Sequence, residues 1–125
     1  MAVRVHVHDD RIQFDLDGAD AFAALSWHHA VPMDHIVSAT VRPVDDVRKD
    51  LAWRIGGRYL PGIMATGTFG MKGRPAARQF WSVYRDDEVL VIDTDLDDPA
   101  RVVVQHPDRH DLAWFIGERV ALRSS

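Results

Sequence analysis

The 125-residue chain contains no cysteine. That excludes disulfides, thiolate metal ligands and a cysteine nucleophile together. Lysine and glutamate are nearly missing: arginine outnumbers lysine 13 to 2 and aspartate outnumbers glutamate 17 to 2. The skew reads as the codon bias of a GC-rich bacterial genome. A halophile's surface would carry far more charge than the net −4 found here. No apolar run approaches the ~20 residues that a membrane-spanning helix needs. The start, Met1-Ala2-Val3-Arg4-Val5-His6, alternates in polarity and lacks the apolar centre of a secretory signal. A cytoplasmic protein is expected.

What is present is ordinary for a globular domain, with 46% apolar and 27% charged residues. The length fits one domain spanning residues 1–125. Such a domain buries roughly two thirds of its unfolded surface, so it needs no metal or cross-link to fold.

Patterning points to strands. Val3, Val5 and Val7 alternate with Arg4, His6 and His8; Ile12, Phe14 and Leu16 alternate with Arg11, Gln13, Asp15 and Asp17. A period of two means one buried and one wet face. A turn at Asp9-Asp10 would set His8 opposite Arg11, His6 opposite Gln13 and Arg4 opposite Asp15. Ala19 to Trp27 reads as a short helix after Gly18, and Val31-Pro32-Met33-Asp34 as a turn. Further strands are expected at His35–Val41, Ile63–Phe69, Gln79–Tyr84, Glu88–Thr94 and Val102–Val104. Gln79–Tyr84 and Glu88–Thr94 would form a hairpin around Arg85-Asp86-Asp87. Asp45 to Trp53 stays open between a helical turn and a loop. Phe80 and Trp81 put large side chains on both faces of one strand, as a central or interfacial strand does.

The end is helical. Pro107-Asp108 makes a helix entry, and Leu112, Phe115, Ile116 and Val120 form one apolar stripe. Gly117 inside it costs about 1 kcal/mol relative to alanine, which a close approach to the sheet would explain. The expected class is mainly β: about seven antiparallel strands in a barrel, a short helix after the second strand, and a C-terminal amphipathic helix plugging one end.

The chain resembles small actinobacterial proteins with a pleckstrin-homology-like barrel. The residues that carry the resemblance are Val31-Pro32-Met33-Asp34-His35-Ile36, Leu60-Pro61-Gly62 with Gly67-Thr68-Phe69, Phe80-Trp81-Ser82-Val83 with Val89-Leu90-Val91-Ile92, and His106-Pro107-Asp108. They span nearly the whole chain. The resemblance implies a binding or scaffolding module rather than an enzyme. Lipid-binding relatives hold phosphoinositides with basic residues at the first hairpin loop. Here that loop is acidic, Asp9-Asp10-Arg11, so no such site carries over.

Three constellations bear on function. From Arg48 to Arg78 there are seven basic residues against one acid, Asp50, so the segment is +6 and the remainder of the −4 chain is −10. This suggests an anionic ligand or membrane surface held by Arg54, Arg58, Lys72, Arg74 and Arg78. The bland alternative is pairing of these cations with the acidic remainder. Nucleic acid is disfavoured by the negative total charge, although Trp53, Tyr59 and Phe69 interleave the cations. His6 and His8 share one strand face and are the best metal candidates, with Asp15 nearby. A wet strand face accounts for them as well, and no metal or cofactor is expected. The paired aspartates all fall at turns, and no nucleophile elbow occurs.

The sequence therefore points first to a non-enzymatic binding or scaffolding domain with a protein partner or a second copy of itself. A histidine-based metal protein or small enzyme, and an adaptor for an anionic lipid or other ligand, stand as alternatives. Trp27, Trp53 and Trp114 are read as core for the most part, with one or two at an oligomer contact.

Overall fold

A computed structural model describes the backbone of residues 3–16, 28–60, 64–84 and 87–124, and the side chains of residues 4–15, 30–51, 67–84 and 87–122. The helix expected over Ala19–Trp27 lies outside the described residues. In chain order the elements are β1 (Val3–Val7), β2 (Arg11–Leu16), β3 (His28–Pro32), a 3-10 turn (Met33–His35), β4 (Ile36–Pro43), α1 (Val44–Arg48), β5 (Leu51–Leu60), β6 (Met64–Met71), β7 (Arg74–Tyr84), β8 (Glu88–Thr94), β9 (Arg101–Val104) and α2 (Arg109–Ser124).

The domain is mainly β, as expected, with a short helix and a C-terminal helix. The expected closed barrel is not what the strands form. They lie in a three-stranded sheet, β1-β2-β3, and a six-stranded sheet, β4-β8-β9-β7-β6-β5, and the two are not closed into a barrel. The first hairpin has the register its alternation dictates, with Arg4 opposite Asp15 and His6 opposite Gln13. β3, hidden in sequence by its brevity and terminal proline, pairs with β2 where a turn is expected.

The larger sheet departs from the antiparallel expectation. β7 and β8 are consecutive in the chain but do not form a hairpin. β9 lies between them, antiparallel to β8 and parallel to β7. The apolar runs of these strands explain the placement. Phe80, Trp81 and Val83, Val89 to Ile92 and Val102 to Val104 are all buried. Strands apolar on both faces belong in the middle of a sheet covered on both sides.

Two cores result. One face of the large sheet (Phe80, Leu90, Ile92, Val102, Val104) packs with Ile12, Phe14 and Val31 of the small sheet and Ile116 of α2. The other face (Trp81, Val83, Val89, Val91, Val103) packs with Phe69 and, from α1, Val44 and Val47. Each large side chain buried this way contributes about 2 kcal/mol.

The C-terminal helix does not plug an end. It lies along β4, the edge strand, and reaches β8 beside it. Ile116 is buried, with Leu112, Ala113 and Val120 partly so. Phe115, expected on the buried stripe, is 41% exposed. Nor does Gly117 approach the sheet: a Cβ there would meet nothing within 4 Å.

Candidate functional site

The basic segment folds with carboxylates set among its cations. Arg48 Nη1 reaches Asp45 Oδ1 at 3.0 Å, Lys49 Nζ lies 3.7 Å from Asp46 Oδ1, and Arg74 Nη2 is 3.4 Å from Asp97 Oδ1. Arg78 Nη1 donates to the carbonyls of Pro75 and Ala77 at 2.9 and 3.0 Å. Lys72 and Arg74 flank Gly73 in the β6–β7 turn, where Gly73 has φ +79°. The Lys72 amide donates to the Asp50 carbonyl, which holds this turn against the α1–β5 corner. Arg54 and Arg58 stand in β5 opposite Phe69 and Thr66, and their side chains lie outside the described ones. Of the five candidates, Lys72 and Arg74 are brought together, while Arg78 sits further along β7, opposite Gly70.

The five described histidine side chains are spread over the surface, none of them paired with more than one carboxylate. His6 Nε2 lies 3.4 Å from Asp15 Oδ2, His35 Nδ1 lies 2.7 Å from Asp95 Oδ1, and His110 Nε2 lies 3.8 Å from Glu88 Oε1. His8 is exposed, and its amide closes the first hairpin on the Arg11 carbonyl. His106 lies before the helix and accepts the Asp108 amide on Nδ1 at 3.0 Å. Among the described residues no group of three or more His, Asp or Glu could hold a metal ion. Also among them, no helix is long and apolar enough to cross a membrane.

A buried polar chain crosses the second core. Asp93, Arg101 and Gln79 stand side by side on β8, β9 and β7. Arg101 Nε donates to Asp93 Oδ1 at 2.6 Å and Nη1 to Asp50 Oδ2 at 2.8 Å. Gln79 Nε2 donates to the carbonyls of Asp50 and Gly70, and its Oε1 accepts the Trp81 indole N–H at 2.8 Å. Arg101 is only 8% exposed. Burial pulls its pKa down, but the hydrogen bonds to Asp93 and Asp50 outweigh this and hold it above the ordinary value. These bonds fasten the α1–β5 corner over the sheet. Sequence reasoning missed it; the signals were a lone arginine before Val102-Val103-Val104 and a glutamine ahead of Phe80-Trp81.

The most conspicuous surface feature is the outer side of α2. Trp114 is 67% and Leu122 70% exposed, beside the half-exposed Phe115. At 3.6 residues per turn the three fall within about 100° of arc, roughly opposite Ile116. Asp111 and Glu118, both exposed, lie in the same arc. The Arg119 guanidinium covers one side of Phe115, 5.0 Å from the ring centroid, and also pairs with Asp9 of the first hairpin loop. Trp27 lies outside the described residues and the Trp53 side chain outside the described ones, so Trp114 is the tryptophan found at the surface. The chain matches no protein-family model, no curated protein and no solved structure.

Proposed function

We propose that this chain is a non-enzymatic binding or scaffolding domain that makes protein contacts through the outer face of α2. The observation behind this reading is the exposure of Trp114 and Leu122 on one arc of a helix whose other side is anchored in the core. An aromatic side chain offers about 150–250 Å² of contact. Trp114, Phe115 and Leu122 together therefore expose on the order of 300–400 Å², comparable to the largest apolar patch of an ordinary monomer, which is often functional. Asp111 and Glu118 stand within this arc, between Trp114 and Phe115 in angle, so the face combines large apolar side chains with two acids.

The anionic-ligand reading has less behind it, because three described cations of that segment, Arg48, Lys49 and Arg74, already face Asp45, Asp46 and Asp97. Sedimentation velocity over a micromolar to millimolar range tests the α2 reading, with native chain and a Trp114→Ser/Leu122→Ser variant. The expected result is association of the native chain, weakened about tenfold or more in the variant at unchanged circular dichroism. Equal association in both, or none in the native chain, overturns it.

A further inference from the structure

β9 passes into α2 through Gln105-His106-Pro107-Asp108. Gln105 is pinned to β7: its amide donates to the Ser82 carbonyl at 2.9 Å and its Oε1 accepts the Tyr84 amide at 2.6 Å. Asp108 opens the helix, its carbonyl accepting the Leu112 amide at 2.9 Å. Pro107, between them, has no N–H to give. His106 therefore holds the joint. Its carbonyl accepts the Arg109 amide at 3.3 Å and the Arg109 guanidinium at 3.1 Å, and its Nδ1 accepts the Asp108 amide at 3.0 Å. A backbone amide only donates, so this Nδ1 carries no proton and the ring proton sits on Nε2.

We infer that His106 makes the entry of α2 acid-sensitive: protonation of its imidazole releases the Asp108 amide and loosens the first turn of the helix. An imidazolium has two N–H donors and no acceptor, so it turns away from an amide that needs one. Its charge also stands at the helix N-terminus, the end where a cation is unfavourable. Asparagine or serine in this place would hold the amide at every pH. Histidine is the side chain that changes charge between about pH 5 and pH 8.

The charged and titratable groups at this end of the helix do not defend the bond. On α2 and its entry they are Asp108, Arg109, His110 and Asp111. From the sheet they are Tyr84 of β7, Asp87 and Glu88 where β8 starts, and Arg42 of β4, which is paired with Asp46. Acids outnumber cations among them, so a protonated ring has carboxylates to turn toward once it leaves the amide. His110 answers acid in the opposite sense. Its Nε2 lies 3.8 Å from Glu88 Oε1, a contact that protonation strengthens. That tether to β8, with Ile116 buried further along, confines the loosening to the entry and keeps the rest of the helix on the sheet.

Nuclear magnetic resonance of the dilute chain, where the outer-face contact plays no part, tests this between about pH 8 and pH 5. The native chain is compared with His106→Asn, His106→Ala and His110→Gln, each verified as folded by circular dichroism. Imidazole nitrogen shifts read the protonation of each ring. Amide exchange at Asp108 and Leu112, corrected for its intrinsic dependence on pH, reads the helix entry. In the native chain the ring proton is expected on Nε2 at neutral pH, and protection of the two amides should fall about two- to tenfold as His106 titrates, the size of one hydrogen bond lost. His106→Asn, whose side-chain oxygen accepts the same amide, should show no such step. His106→Ala should be loosened at every pH, and His110→Gln should keep the native step. Native protection that does not follow the titration of His106 overturns the inference whatever the variants do. So does a native ring protonated on Nδ1 at neutral pH, an unchanged step in His106→Asn, or loss of the step in His110→Gln.

Discussion

Arg101 donates from Nη1 to Asp50 Oδ2 at 2.8 Å, joining the middle of the large sheet to the corner where α1 gives way to β5. The guanidinium has its second acid, Asp93, on the neighbouring strand. A buried cation so placed is costly to leave half-paired. Asp93→Ala is expected to lower the free energy of unfolding by about 3 kcal/mol. Asp45→Ala, which removes an exposed partner of Arg48, should change it by less than about 1 kcal/mol. Urea unfolding of the two variants checks the contrast.

Two glycines should respond in opposite directions to alanine. Gly73 has φ +79°, a conformation that strains any residue with a Cβ, so Gly73→Ala should destabilise by about 1 kcal/mol. Gly117 lies in a helix with open space beyond it, so Gly117→Ala should stabilise the dilute monomer by about 1 kcal/mol. Thermal unfolding at low concentration reads both.

Ser82 is buried on β7, and its hydroxyl has no hydrogen-bond partner among the described residues. An unpaired buried hydroxyl costs free energy in the folded state. Ser82→Ala should therefore raise stability, by about 1 kcal/mol in urea unfolding. A loss of that size would mean the hydroxyl is paired.

Two exposed carboxyls link stability to acid. The hydrogen bond from Arg42, and then its charge, hold Asp46 below the ordinary carboxylate value; Arg119 does the same for Asp9. A lowered folded-state pKa stabilises above the unfolded value of 3.8 and the benefit is lost as pH falls through the folded value. An Asp9→Asn/Asp46→Asn variant should therefore lose less stability than the native chain between neutral pH and the acid range, as pH-dependent urea midpoints will show.

Local patterns made some of this fold legible and long-range pairing hid the rest. The β1–β2 register followed from strict alternation of Val3 to Val7 against Ile12 to Leu16. Phe80 and Trp81, which mark a strand as central or interfacial, lie on β7 in the interior of the large sheet. What alternation could not show is that β9 inserts between β7 and β8, because three short apolar runs are compatible with several strand orders. β5 was obscured by Gly56-Gly57 and its two register shifts, which break the period. On α2, the stripe of Leu112, Phe115, Ile116 and Val120 identified the buried side but took in Phe115, one position too far round the helix. The exposed face of α2 was harder to read, since Trp114 and Leu122 look like core residues until the sheet they fail to touch is known. In the +6 segment, Asp45, Asp46 and Asp97 stand against Arg48, Lys49 and Arg74, a pairing that sequence distance hides in the case of Asp97.

The most direct test of the proposed α2 contact is amide hydrogen exchange of the native chain at low and high concentration. Contact through the outer face of α2 predicts that exchange along α2 around Trp114 and Leu122 slows as concentration rises, while β5, at the far edge of the sheet, stays unchanged. Exchange in α2 that is identical at both concentrations would contradict it.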